Sequence, residues 1–197
     1  AAAASSSAVE PTLLDLSMRE LRAVPPSVTS HHSLLELNLS FNSLTSIDAL
    51  PRACPLLQRL SVAHNTLAAL PSLASLTSLR RLDVSSNRLR SLDGAAGCPE
   101  LVELLAASNC LRLDAMAPLR QTASLRHLVM RSNPAEKVLP AGIYRHTAAL
   151  LLRQLATLDA SPLDVAAARA FAKADDARRA ISDTLGHKIA LVALKAD

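Results

Sequence analysis

The sequence predicts an α/β fold in the form of a curved, right-handed solenoid. Short parallel strands line its concave face, 3₁₀ or irregular segments return along its convex face, and a helical cap and a tail helix follow. The main evidence is a spaced series of asparagines, with steps of 22 to 24 residues, inside a leucine pattern of period two. Composition agrees, because the 197 residues include 39 Leu and 36 Ala but only 2% aromatics. Four glycines argue against a sandwich or barrel with many tight turns.

Five segments follow the pattern L-x-x-L-x-L-x-x-N-x-L, with Val, Ala or Met replacing the third Leu in four of them and Ala the final Leu in one. A degenerate unit at 14–24, with Arg19 in the asparagine position, precedes them. An atypical first repeat is expected of a terminal unit, which has a neighbour on one side only. The five segments are 34–44, 57–67, 79–89, 101–111 and 125–135, and their asparagines are Asn42, Asn65, Asn87, Asn109 and Asn133.

The pattern also predicts the local structure of each repeat. The x-L-x-L-x core alternates with period two, which indicates a short strand with its leucines inward. The asparagine follows at a turn, where its amide both donates and accepts, so that a ladder of these side chains would bridge adjacent turns. Asparagine also tolerates the left-handed conformation that such a turn needs. In the return 67–79 leucines recur every three residues, which matches turns of 3₁₀ helix.

These units resemble leucine-rich repeats of the 22-residue class typified by the regulatory subunit of protein phosphatase 1. The recurring Cys-Pro pairs at Cys54 and Cys98, three residues before a repeat, are also similar to that class. The resemblance extends beyond the last repeat to the C-terminal cap of the class, with Ala160 where the family usually has Gly. The matching cap positions after Asn133-Pro134 are Tyr144, Arg145, Leu155, Leu158 and Asp159. Known members of this class bind other proteins, as phosphatase regulators, a spliceosomal protein, a dynein light chain and axonemal subunits.

The chain divides into four parts. Residues 1–10 are an Ala/Ser-rich flexible linker or the end of a trimmed presequence, 11–133 hold six repeats, 134–160 form the cap, and 161–197 form an alanine-rich tail helix with a short apolar segment. Ser161 is the predicted N-cap of the tail helix. This helix either folds back on the cap or docks on another subunit. Its predicted apolar seam consists of Leu163, Ala167, Ala170, Phe171, Ala174, Ile181 and Leu185.

The sequence predicts a protein that is not an enzyme and holds no catalytic, cofactor or metal site. It contains no nucleophile, phosphate-binding or dinucleotide motif, and the adjacent His31 and His32 are interpreted as part of a solvated loop. Cys54 and Cys98 are interpreted as small core residues. Three cysteines without CxxC spacing favour a reducing compartment, and no apolar run approaches the ~20 residues of a membrane helix.

The concave face is the predicted partner-binding surface. In the last two repeats its outward strand positions become apolar, which indicates either a protein contact or a patch that the cap or tail covers. The net charge of +4 and the predicted outward arginines are compatible with an acidic partner such as tubulin or RNA. The predicted surface comprises Arg59, Arg81, Asp83, Glu103, Leu105, His127, Val129 and Arg131.

The leading functional hypothesis is a non-enzymatic scaffold subunit of a large assembly such as a ciliary axoneme, located in the cytoplasm, the cytoskeleton or a cilium. The alternative is a subunit of a ribonucleoprotein or organellar complex, for example in the mitochondrion, which the pI near 9.3 and the presequence-like start favour. A third hypothesis is a regulatory subunit of a phosphatase or another enzyme. The concave columns lack the aromatics that phosphatase-binding members use. No membrane or small-molecule partner is expected.

Overall fold

The computed structural model describes residues 12–138 and 141–173, together with Arg179 and Asp183. The predicted linker 1–10 lies outside the described residues, as do Ala174, Ile181, Leu185 and the apolar segment 188–195 of the predicted tail.

Eight short strands form one sheet whose spatial order is the order of the chain, as predicted for a solenoid. The first seven strands are parallel, and the last pairs antiparallel with the seventh. The register places equivalent repeat positions side by side, so that Leu37, Leu60 and Leu82 are direct neighbours. The predicted α/β solenoid is therefore confirmed. The strands are β1 (Leu13–Asp15), β2 (Glu36–Asn38), β3 (Arg59–Ser61), β4 (Arg81–Asp83), β5 (Glu103–Leu105), β6 (His127–Val129), β7 (Thr157–Leu158) and β8 (Ser161–Pro162).

The convex returns differ from one repeat to the next. Two hold a single helical turn, α1 (Pro26–Thr29) and α2 (Leu50–Ala53), and two hold 3₁₀ helix, at Asp93–Ala95 and Leu113–Gln121. The return 67–79, for which the leucine spacing predicts 3₁₀ turns, contains bends and turns but no 3₁₀ helix. Pro71 lacks an amide hydrogen, and the Leu73 amide donates to Gly94 O of the next return at 2.8 Å. In the second half of the return, Leu76 N donates to Leu73 O at 2.9 Å and Leu79 N to Leu76 O at 3.1 Å, so turns of the predicted 3₁₀ type form singly there without building a helix.

The core is a stack of leucine layers between the strands and the returns. The inward leucines of repeats two to six are fully buried, whereas Leu14, Leu16, Leu21 and Val24 of the first unit are half-buried. Cys54 and Cys98 are also buried, and their thiols lie 3.6 and 3.3 Å from carbonyl oxygens of the preceding repeat. These thiols occupy the core, as their position before each repeat suggests.

The five repeat asparagines join each turn to the preceding one. In each case Nδ2 donates to a carbonyl oxygen of the previous repeat and Oδ1 accepts an amide hydrogen of that repeat; for Asn87 the partners are Val62 O and Leu67 N, both at 3.0 Å. The expectation that asparagine takes the left-handed conformation is wrong. The residue before each asparagine takes it, with φ between 53° and 60°. This turn directs the asparagine side chain back under the strand.

The C-terminal part consists of α3 (Pro134–Val138), α4 (Ala141–Leu151), the strands β7 and β8, and α5 (Val165–Ala172). Helix α5 packs against α4, where the rings of His146 and Phe171 stack with centroids 4.6 Å apart. The described part of the tail helix therefore folds back on the cap region, which is the first of the two predicted alternatives.

The predicted start and seam of the tail helix are wrong by a few residues. Asp164, rather than Ser161, is the N-cap, because its carboxylate accepts the Ala167 amide hydrogen at 2.9 Å while Ser161 pairs with β7. With this later start the buried residue is Ala168, and Ala167 and Ala170 are exposed. Leu163 and Phe171 of the predicted seam are half-buried against the core.

Candidate protein-binding surface

The first outward column of the concave sheet consists of two ion pairs. Strand register places Glu36, Arg59, Arg81 and Glu103 side by side in that order. Arg59 Nη1 lies 2.5 Å from a Glu36 oxygen, and Arg81 Nη1 lies 2.6 Å from a Glu103 oxygen. Both arginines therefore have a neighbouring carboxylate on the same face of the sheet. His127 continues the column, with Nδ1 2.9 Å from the Thr157 hydroxyl.

The second column changes from polar to apolar along the solenoid. Asp83 accepts the Ser85 amide hydrogen at 2.9 Å, and beside it Leu105 and Val129 are half-buried in register. Arg131, at the end of this apolar stretch, is exposed. The structure thus brings the predicted surface residues together on one open sheet face, with an apolar centre between charged groups.

A groove of about 380 Å³ lies over the N-terminal half of the same face. Most residues of the predicted partner-binding surface lie in the C-terminal half of this face, and Asp15 is not among them. The carboxylate of Asp15 accepts from the amide and hydroxyl of Ser17 at 2.9 and 2.7 Å, and these hydrogen bonds lower the pKa of Asp15. The Asp-x-Ser spacing, repeated at Asp83, is the signal that could have found it. The groove is lined by residues 13–15, 36–38, 59–61, 81 and 83.

Three large side chains follow the ends of the first three strands that line the groove, and the predicted surface does not include them. Met18, Phe41 and His64 occupy the left-handed position at the end of the first three strands, with φ of 56°, 56° and 53°. Met18 is 71% and Phe41 49% exposed, and the rings of Phe41 and His64 stack 8° from parallel with centroids 4.1 Å apart. The sequence distinguishes these three residues, because the position before the repeat asparagine is Ser in each of the last three repeats. We call these three residues the N-terminal lip.

The residues matched to the family cap close the last repeat. Asp159 Oδ1 accepts the amide hydrogens of Met130 and Arg131, and its other oxygen accepts from Tyr144. Arg145 donates to the carbonyl oxygens of Leu158, Ser161 and Pro162. Leu155 and Leu158 are buried. Burial, reinforced by the Asp159 carboxylate, raises the pKa of Tyr144 well above its ordinary value.

The described residues offer no grouping of three or more His, Cys, Asp or Glu side chains that could hold a metal ion. His32 Nδ1 lies 2.9 Å from Ala53 O on the return surface. In the same part of the chain, no helix is both long and apolar enough to cross a membrane.

Comparison with known proteins supports the repeat interpretation. Residues 55–95 match a family model described as leucine-rich repeats in two copies, and residues 30–50 match a second leucine-rich repeat model. No curated protein matches the chain.

Solved structures with the same architecture include three from different organisms. An internalin of Listeria monocytogenes is 20% identical with a TM-score of 0.59, covering 75% of this chain and 40% of its own. A leucine-rich repeat protein of Leptospira interrogans is 23% identical with a TM-score of 0.56, covering 75% and 42%. A chain of the SNF/U2A' complex of Drosophila melanogaster is 20% identical with a TM-score of 0.56, covering 87% of both chains.

This chain spans about two fifths of the length of the internalin and Leptospira chains. At these identities the likeness describes the fold. Leucine-rich repeats form a protein-interaction fold, and the two matched segments contain Asn42, Asn65 and Asn87 of the asparagine ladder. The chain carries leucine-rich repeats and folds as a leucine-rich repeat solenoid.

Proposed function

We propose that this chain is a non-enzymatic protein-interaction module whose concave face binds another protein chain within a larger assembly. The observation that carries the proposal is the half-buried pair Leu105 and Val129 on an otherwise polar sheet. An apolar centre within a polar rim is the usual anatomy of a protein interface. The rim consists of the Arg81–Glu103 ion pair, His127 and Arg131.

The ion pairs in the first column affect which kind of partner this surface is expected to bind. Because Arg59 and Arg81 each lie against a carboxylate, a uniformly acidic partner such as tubulin or RNA gains little from them. Apolar contact at Leu105 and Val129 then supplies most of the affinity, and the paired charges set the orientation of the partner.

A direct test is to identify the chain that contacts residues 81–131 by cross-linking mass spectrometry in a native extract and then to measure its affinity. Leu105→Asp places a charge in the apolar centre and should weaken binding at least about tenfold. The control is Leu56→Asp, which places the same charge on an exposed leucine outside the sheet. Equal affinity for both variants and the unaltered protein would exclude the concave surface.

For the assembly itself, we propose a structural subunit of a ciliary axoneme, located in the cytoplasm, cytoskeleton or cilium. The resemblance of the repeats and cap to the class that includes many axonemal subunits supports it. The alternative is a subunit of a ribonucleoprotein complex, favoured by the similarity to a chain of the SNF/U2A' complex over 87% of both chains. Co-sedimentation with microtubules would support the first, and RNA binding that weakens steeply with salt would support the second.

A further inference from the structure

We propose that the N-terminal lip and the groove beside it bind a basic segment of another protein, one in which apolar residues separate the lysines or arginines. This inference rests on the proposed function, since it assigns a partner chemistry to the concave side of the module. It concerns Met18, Phe41, His64 and the groove carboxylates, and it borders the apolar centre at Leu105 and Val129, because Asp83 lies beside Leu105 in register.

The backbone of the lip does not require large side chains. In the last three repeats Ser86, Ser108 and Ser132 occupy the same left-handed position, with φ between 53° and 60°. Glycine, asparagine, aspartate and histidine adopt this conformation more readily than other residues, so Met18 and Phe41 are the unusual occupants of this position. Strained positions that carry bulky side chains at a surface are characteristic of binding sites.

The lip is also the exposed aromatic site of a chain that has few aromatics. Of its two Phe and one Tyr, Tyr144 is buried in the cap and Phe171 stacks on His146. Phe41 remains about half exposed, with His64 stacked on it and the exposed Met18 in the neighbouring repeat. Exposed aromatic and methionine side chains supply large contact areas to partners and commonly anchor protein interfaces.

The groove beside the lip supplies the charge that selects the partner. Its charged lining residues and their ion-pair partners comprise four carboxylates and two arginines. Glu36 and Glu103 pair with the arginines, which leaves Asp15 and Asp83 outside the ion pairs of the described residues. These groups sum to a charge of −2, which Arg19 near Asp15 offsets in part, whereas the whole chain carries +4. This complementarity favours Lys or Arg in the partner and disfavours nucleic-acid phosphates.

The spacing of these groups limits the size of the bound segment. Asp15 on β1 and Asp83 on β4 are three strand steps apart, or ~14 Å at the usual strand separation. A helix of about ten residues or an extended segment of about five spans that distance. A single short segment with two basic residues at its ends therefore fits both carboxylates, while its apolar residues contact Phe41 and Met18.

The experiment selects ligands from a displayed library of random 12-residue peptides against the full 197-residue chain, followed by fluorescence polarisation with the selected peptides. We expect enrichment of Lys and Arg separated by apolar residues, and affinity that falls as salt rises. Phe41→Ser, which introduces the residue found in the last three repeats, should weaken binding at least about tenfold. The pair Asp15→Asn and Asp83→Asn should weaken it about five- to tenfold and reduce its salt dependence.

Ser108→Ala, at the equivalent position in the fifth repeat, is the matched control and should leave affinity unchanged, and thermal unfolding of each variant verifies that it folds. No enrichment, peptides that are acidic or uncharged, or binding that survives Phe41→Ser would overturn the inference. Peptides sensitive to Leu105→Asp but not to Phe41→Ser would overturn it while supporting the proposed function. Binding of a 12-nucleotide RNA in preference to the basic peptides would also overturn it.

Discussion

The hydroxyl of Tyr144 donates a hydrogen bond to Oδ2 of Asp159 across 3.0 Å. The other oxygen of Asp159 accepts the amide hydrogens of Met130 and Arg131 at 2.7 and 2.8 Å. One carboxylate thus joins the cap helix to the end of the last repeat strand, where a further repeat would otherwise supply backbone carbonyls. The side chain of Asp159 therefore takes the place of the backbone carbonyls that a following repeat would provide, and in this way the cap closes the solenoid.

Asp159→Ala should lower the free energy of unfolding by about 2–3 kcal/mol, since two strand amides and a buried hydroxyl lose a charged acceptor. Tyr144→Phe removes one of these bonds and should cost about 1–2 kcal/mol. Chemical denaturation measures both, with the exposed Asp114→Ala as control. A loss for Asp159→Ala no larger than that of the control would contradict the closing role of this carboxylate.

Ala160→Gly should stabilise the protein by about 0.5–1 kcal/mol. Ala160 has φ of 63°, a left-handed conformation that costs an alanine ~1–2 kcal/mol in the folded state. Glycine removes this cost, but it also makes the unfolded chain more flexible, which cancels part of the stabilisation. The same substitution at Ala166, an exposed position within helix α5, should instead destabilise by about 0.5–1 kcal/mol. Opposite shifts in melting temperature test the pair; a fall for both would show that Ala160 carries no strain.

Asn87→Ala should destabilise by roughly 2–4 kcal/mol, because it leaves the buried Leu67 amide without its acceptor and removes one of the two asparagine donors to the Val62 carbonyl. The control is Asn38→Ala, since Asn38 bonds mainly to Ser40 within its own strand end, and it should cost under about 1 kcal/mol. Urea unfolding compares them. Similar values for the two variants would argue against a special role of the ladder.

Gly94→Ala should destabilise by about 2–3 kcal/mol, because an added Cβ would lie 2.4 Å from Pro71 O and 2.6 Å from Leu70 Cβ. Gly142→Ala, in helix α4, meets its nearest neighbour at 3.9 Å and should stabilise by up to about 1 kcal/mol. The two melting temperatures should therefore move in opposite directions. An unchanged midpoint for Gly94→Ala would show that adjacent returns separate freely.

Native protein at pH 8 should react with iodoacetamide at Cys110 and leave Cys54 and Cys98 unmodified. Cys110 is exposed, whereas burial raises the pKa of Cys54 and raises that of Cys98 to about 11, so their reactive thiolates are scarce. Mass spectrometry should find one adduct before and three after unfolding in guanidinium. Equal labelling rates in the native state would contradict core positions for the two buried thiols.

The repeats were predictable from sequence because every layer uses the same leucines at the same spacing, and their period fixes both strand register and the asparagine turns. The tail helix was less predictable. Its start depends on whether Ser161 caps a helix or pairs with Leu158, and that choice depends on a neighbouring strand more than on local propensity. The ion pairs of Arg59 and Arg81 also required the structure, because they depend on the side-chain conformations that bring each guanidinium against a glutamate of the neighbouring strand.

The sequence by itself determined the number and order of the repeats, the strand positions and the bridging asparagines, since these follow from local periodicity. Tertiary structure alone decided which side chains meet across repeats about 22 residues apart. It placed Phe41 on His64, turned Asp159 toward the last strand, and left Asp15 and Asp83 in one groove. The physical reason is that contacts between layers depend on the curvature and register of the assembled stack, which no single repeat contains.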